Sequence, residues 1–397
     1  MEMRPEIKNT SLSFENTEIA FRHESNGNLK RAYWLFRIIN LNFLVKIGPP
    51  ITNFAFKIGL PIKSLVKSTI FNHFCGGETI AECEPTIRNL QSGKVGTILD
   101  YSVEGENEEA VFDDTRDQII ATIKRAQGDA AIPLTVFKIT GVGNFDILEK
   151  ADAGLTFSFE EEAAWQKIFD RVDTICKTAF DLNVPVMIDA EETWIQRTID
   201  LLALNMMRQY NQQKAIVYNT YQLYRHDKLT SLKADFKAAA EEDFLLGAKL
   251  VRGAYMEKEN RRAAEKGYPT LIQPDKTATD RDYNLALQFC AENIGRIAFV
   301  CGTHNEQSCK LLASLLNNHQ IAHNHPHVHF SQLLGMSDNL SFNLSNAGYN
   351  VAKYVPFGPV KAVLPYLFRR AQENTAIAGQ TSRELGLISK EKNRRKI

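Results

Sequence analysis

Cysteine is scarce and unpatterned: six residues, at 75, 83, 176, 290, 301 and 309 of 397, form no Cys-x-x-Cys pair and no zinc-ribbon spacing. A disulfide scaffold is excluded, and reduced, mostly buried thiols of a cytosol-like compartment are expected. Net charge is missing too, since 47 Lys plus Arg balance 47 Asp plus Glu. Without an excess of cations to neutralise phosphates, a nucleic-acid partner is not expected. No stretch reaches the roughly 18 uninterrupted apolar residues of a spanning helix. Lys30, Arg31, Arg37, Lys46, Lys57, Lys63 and Lys67 interrupt the one extended apolar region. The opening residues, Met1-Glu-Met-Arg-Pro-Glu6, have neither the apolar core of a signal peptide nor the acid-poor character of a transit peptide, so export is not expected. A phosphate-binding P-loop and a Gly-x-Ser-x-Gly elbow are absent, and Gly141-Val-Gly143 lacks the third glycine of a dinucleotide fingerprint.

What is present is an ordinary globular composition, 44% hydrophobic and 24% charged, with enough chain for a large core. The neutral total hides an asymmetry. Residues 27–75 carry seven Lys and Arg and no Asp or Glu, and residues 389–397 add five basic residues and one Glu, so the ends hold +11 and the remainder −11. Two readings fit: an amphipathic surface lying on anionic lipid, or a helical subdomain packed against the acidic body. The expected organisation is an N-terminal helical region over 1–92, a catalytic body over 93–380 and a basic tail over 381–397.

The body repeats one theme, a short β-branched or aliphatic run ending in polar residues and followed by a helical stretch. Eight such runs occur, at 96–103, 134–140, 184–189, 215–220, 248–252, 297–301, 327–331 and 351–355. Helices are expected near 117–125, 194–208, 228–243, 281–292 and 305–316, and most clearly after Ser158. There Ser158 and Glu161 have capping-box spacing, and Trp165, Ile168, Val172 and Ile175 follow at helical intervals. Strands alternating with helices imply parallel pairing, and eight repeats suggest a closed (β/α)8 TIM-like barrel, class α/β.

Polar residues cluster where these strands end: Asp100, Tyr101 and Glu104; Lys138; Asp189 and Glu191; Asn219; Lys249 and Arg252; Thr303 and His304; Gln332; Tyr354. Lys138 and Lys249 interrupt apolar strands, which is costly inside a barrel without an anion. After the last strand, Tyr366, Arg369, Arg370 and Glu373 stand at i, i+3, i+4 and i+7, on one helix face. The adjacent arginines are either a surface salt bridge or a bidentate carboxylate clamp, to which Lys138 supplies a third cation. Five histidines lie between 319 and 329; a metal site is one reading, an exposed His-rich loop the other, and no nearby Cys or carboxylate completes a ligand set.

Lys249-Leu-Val-Arg-Gly-Ala-Tyr255, Ile188-Asp-Ala-Glu-Glu192, Thr303-His-Asn305 and Tyr366-Leu-Phe-Arg-Arg-Ala-Gln-Glu-Asn374 together resemble proline dehydrogenase over about 71–374. The resemblance is to the monofunctional, eukaryotic-type enzyme, since no aldehyde dehydrogenase domain follows. It implies a distorted barrel binding FAD, oxidation of L-proline to Δ¹-pyrroline-5-carboxylate by hydride transfer, and electrons passed to a membrane quinone. Peripheral attachment to the inner face of the cytoplasmic membrane, or a mitochondrial location in a eukaryote, would follow.

By position, the resemblance assigns the proline carboxylate to Lys138, Arg369 and Arg370, and the ring's walls to Leu333, Tyr354 and Tyr366. Asp189 becomes a strand-end acid at the flavin, and Lys249 stands where many relatives have Arg beside the reactive flavin nitrogen. Asn219, Arg252, Gly253, Ala254, Thr303, His304 and Asn305 fall where FAD is held, with Glu373 near it; Asn219 replaces a Gln of many bacterial members. Tyr354 resembles the proline-oxidising form. Alternatives are oxidation of hydroxyproline or another cyclic imino acid, and a non-catalytic proline sensor.

Overall fold

The computed structural model describes residues 12–39, 52, 58, 60–103, 108–376 and 380–397, with the side chains of 371–382 outside the description. Eight strands close into a barrel in sequence order: β1 Gly96–Tyr101, β2 Thr135–Phe137, β3 Val186–Ile188, β4 Val217–Gln222, β5 Leu246–Val251, β6 Ile297–Gly302, β7 Val328–Leu333 and β8 Val351–Phe357. Every neighbouring pair is parallel, and β8 closes on β1 over six register pairs from Gly96↔Ala352 to Tyr101↔Phe357. The eight expected runs are therefore the eight strands.

Both faces of each strand are buried, which is why they read as nearly continuous apolar runs. Ile98, Val136, Met187, Tyr218, Val300 and Tyr354 pack together inside the barrel. Their alternates, such as Leu99, Phe137, Ile188 and Phe299, join the helix-facing core with Ile119, Ile168, Ile199 and Leu312. The helix Phe159–Asp181 starts as expected: Ser158 Oγ accepts from the Glu161 N–H, and the Glu161 carboxylate accepts from the Ser158 N–H at 2.6 Å. The helix Asp338–Asn346 escapes the periodicity reading because it is buried from Asn339 to Ser345, leaving no polar face to alternate with the apolar one.

The two ends of the chain meet. Helices Thr17–Phe21 and Asn26–Ile39 pack on the C-terminal helix Gln380–Arg395 through Ala20, Phe21, Leu29, Phe36, Leu387 and Ile388. Glu391 is fully buried and pairs with Arg394 and Arg395, both at 2.8 Å. Arg395 also donates to the Phe21 and Glu24 carbonyls. Much of the tail's basic charge is thus engaged in holding a helix. Glu104 and Glu106, and Lys46 and Lys57 of the basic N-terminal stretch, lie outside the described residues.

Candidate active site

The C-terminal strand ends converge on Asp189, the residue after β3. Lys249 of β5 donates to Asp189 Oδ1 and, at 2.7 Å, to the Tyr354 hydroxyl of β8. Tyr354 donates in turn to Asp189 Oδ1 at 3.2 Å. Lys138, after β2, lies 3.5 Å from Asp189 Oδ2 and 3.7 Å from Asp100 Oδ2. Lys249 is only 5% exposed, and a cation so buried requires the anion beside it. Burial would raise the Asp189 carboxyl, but the charges of Lys249 and Lys138 and the bonds from Lys249 and Tyr354 hold it below the ordinary range. The Tyr354 phenol is pushed up by burial and by Asp189 and Asp100.

The helix Val360–Ala376 closes the other side. The Arg370 guanidinium lies 5.2 Å from the Tyr366 ring centroid; both residues are buried and Arg369 is half-buried. Tyr366 packs with a cluster that Leu333 joins, and Leu333 also touches the interior cluster of Tyr354. The charges of Lys138 and Arg369 both bear on Tyr255, and that of Arg370 on His304, so each arginine lies near residues of the strand ends. Lys138, Lys249, Arg369 and Arg370 bring four positive charges to a region whose described carboxylates include Asp189 and Asp100. Of these carboxylates, Asp189 is the one whose ionised form the neighbouring lysines favour. Glu191 is the exception: burial raises its carboxyl to about 7 although Thr140 hydrogen-bonds it. The Glu373 side chain lies outside the described residues.

The second group forms an arc from β4 to β6. Arg252 is held by Asp280 at 2.7 Å, Thr303 Oγ1 at 2.6 Å and Ser308 Oγ at 3.0 Å, with its guanidinium 4.3 Å from the Tyr283 ring centroid. Gly253 has φ +134°, and a Cβ there would meet the Tyr224 ring at 2.4 Å, so only glycine fits; Ala254 follows it. Asn305 caps the helix Glu306–Asn318. His304 is half-buried, its Nδ1 2.9 Å from Ser337 Oγ. Burial first, then the charges of Lys353, Arg370 and Arg252, hold it neutral, with its pKa lowered to about 3.

Asn219 is not brought to the mouth. Register pairs Thr220, not Asn219, with inward-facing Lys249, so Asn219 turns outward and donates to Asp200 Oδ1 at 3.0 Å in the helix layer. The strand runs on to Gln222, and that amide faces inward. Its Nε2 donates to the Glu191 carbonyl at 3.0 Å, while its Oε1 is buried with no hydrogen-bond partner among the described residues. The sequence signal was the alternation Thr220, Gln222, visible once the strand is extended two residues. Among the clustered histidines, His323 stacks on Tyr349 and His327 bonds the Ile294 carbonyl, each a local structural contact.

A closed parallel barrel with charged residues gathered at the strand C-termini defines the class, a (β/α)8 scaffold. The family model described as Proline dehydrogenase matches residues 83–383, and the chain belongs to that family. Proline dehydrogenase 1, mitochondrial, of Dictyostelium discoideum is 32% identical, covering 98% of this chain and 76% of that protein. The carbapenem antibiotics biosynthesis protein CarD of Pectobacterium carotovorum subsp. carotovorum is 35% identical, covering 84% of this chain and 85% of that protein. Among solved structures, proline utilization A from Bdellovibrio bacteriovorus, inactivated by N-propargylglycine, superposes with a TM-score of 0.72 at 19% identity. It covers 91% of this chain, which spans 38% of that much longer protein, and the likeness speaks to fold.

Proposed function

We propose that this chain oxidises L-proline to Δ¹-pyrroline-5-carboxylate with FAD as cofactor, the opening step of proline catabolism, and delivers the electrons to a membrane quinone. The observation that carries the reading is the mouth itself, in which Lys138 and Lys249 both flank Asp189 and the Tyr354 hydroxyl bonds it. Family membership supports the same substrate. A flavin fits on one specific ground: Gln222 Oε1 is a buried, unsatisfied acceptor at the strand ends, suited to a ring N–H.

Lys138, Arg369 and Arg370 hold the substrate carboxylate, and Leu333, Tyr354 and Tyr366 wall the ring, fixing which carbon faces the cofactor. The Tyr354 hydroxyl and Lys249 share Asp189, so the acid stays ionised and the tyrosine cannot swing away. When bound, FAD supplies the hydride acceptor. The reaction removes a hydride from C5, which the cofactor would accept, and a proton from the ring nitrogen, which passes to solvent, leaving a C=N bond. Lys249 would hold positive charge beside the bound cofactor and so favour its reduced form. Arg252, Gly253, Ala254, Thr303, His304 and Asn305 would hold the cofactor, with Gln222 in place of Asn219.

The acceptor reading draws on a cavity of about 1040 Å³ lined by Trp34, Leu35, Ile38, Leu65, Ile70 and Phe368, with Lys30 and Arg31 among its residues. Trp34 and Leu65 are 57% and 63% exposed there. An apolar patch with nearby basic residues suits a lipid surface. No helix among the described residues is long and apolar enough to cross a membrane. The proposed location is therefore peripheral, at the inner face of the cytoplasmic membrane or, in a eukaryote, in mitochondria.

The purified protein is expected to be yellow and to bleach on anaerobic addition of proline. A protein that cannot be reconstituted with FAD, or a chromophore bleached by hydroxyproline and not by proline, would overturn the assignment.

A further inference from the structure

Behind the mouth, on the side of β7 and β8 away from the barrel axis, the structure buries charged groups that the proposed chemistry does not use. Lys353 of β8 is completely buried. It donates to the Met336 carbonyl at 2.6 Å and the Leu333 carbonyl at 3.3 Å and pairs with Asp338 at 2.6 Å. Glu384 of the C-terminal helix, 5% exposed, accepts from the Ser337 N–H at 2.5 Å. The segment from Leu333 to Asp338 is thus pinned from behind at both ends. Ser337 has φ +53°, a left-handed conformation that a serine holds only when its surroundings impose it. That conformation places its N–H on Glu384 and its hydroxyl 2.9 Å from His304 Nδ1.

We infer that Glu384 is a positioning residue for His304, acting through Ser337, so that the terminal helix is part of the construction of the cofactor site. The family match ends at residue 383, one residue before this contact. Ser337 fixes the ring orientation of His304 and hence the nitrogen it turns toward the flavin. The inference rests on the proposed placement of His304 at FAD.

The test is FAD titration of the apo-protein by flavin fluorescence, together with ¹⁵N-histidine spectra in which His304 is assigned by its loss in His304→Ala. Glu384→Ala is expected to weaken FAD binding about tenfold, the order of one lost hydrogen bond, and Glu384→Gln, which keeps the acceptor, to stay within about twofold of wild type. In a His304→Ala background, Glu384→Ala should add less than about twofold, because the two changes remove the same interaction. The His304 resonance should shift in Glu384→Ala and in Ser337→Ala alike.

Additive losses, or an unmoved His304 resonance in both variants, would overturn the inference. If His304→Ala leaves FAD affinity unchanged while the resonance still shifts in both variants, the positioning stands and the flavin placement of His304 falls. If the Glu384→Ala protein fails to fold, Glu384→Asp, which draws the acceptor back by one methylene, decides by the same two readouts.

Discussion

Individual residues at the mouth differ in what they are for, and substitution separates them. In the proposed function Arg369 and Arg370 hold the substrate carboxylate, and each charge-assisted bond contributes about 1.5–3 kcal/mol. Replacing either by Ala should raise KM for proline by about ten- to a hundredfold while the flavin-to-protein absorbance ratio stays constant. Steady-state kinetics with spectra of the same preparations checks both halves. Glu191 offers a pH signature. Its carboxyl ionises near 4.5 in the ordinary state but near 7 in the fold. Between those values the folded protein holds a proton that the unfolded chain has lost, so this group makes stability fall as pH rises, with the loss complete above about 7. Glu191→Gln should therefore lie closer to wild type at pH 4.5 than at pH 8, gaining up to about 3 kcal/mol across that span in urea titrations. An equal offset at both ends would show that the acid is not held protonated.

Elements are set by local chemistry wherever they have a solvent face. The helix Phe159–Asp181 carries its own start signal, and removing the Ser158 hydroxyl deprives the Glu161 N–H of its acceptor. Ser158→Ala should cost about 1 kcal/mol in urea unfolding with the m-value unchanged. The strands were legible for a related reason: short apolar runs between turn residues have few alternatives once helices separate them. Their ends were less so. Placing the end of β4 at residue 220 selected Asn219, whereas pairing to β5 extends the strand to Gln222 and reverses which amide looks inward. The helix Asp338–Asn346 was invisible because burial on all sides erases the period that reveals a helix.

At the scale of the whole molecule, charge divides into basic ends and an acidic body, and the fold decides how much of the basic charge stays available. Arg394 and Arg395 fold back on Glu391, and Lys67 is shared by Glu78 and Glu82. Lys30 and Arg31 remain beside the apolar patch of Trp34 and Leu65. Binding to anionic vesicles should accordingly be measurable by pelleting at low salt, weaken as salt rises, and drop on Trp34→Glu more than on Lys392→Glu, because Lys392 lies 3.7 Å from the Tyr33 ring centroid. Failure to pellet at any salt, in either redox state, would remove the membrane from the proposal.

The sequence by itself determined the alternating strands and helices, the barrel they imply, and the residue types available for chemistry. These depend on local periodicity and on motifs only a few residues long. The tertiary structure decided which of those residues meet. Asp189, Lys249 and Tyr354 come from three strands and share hydrogen bonds only because the barrel closes. Asn219 faces away because the register of its neighbour sets its side. Glu384 reaches His304 through Ser337 because the helix Gln380–Arg395 meets the segment that follows β7, a long-range contact that no local pattern encodes.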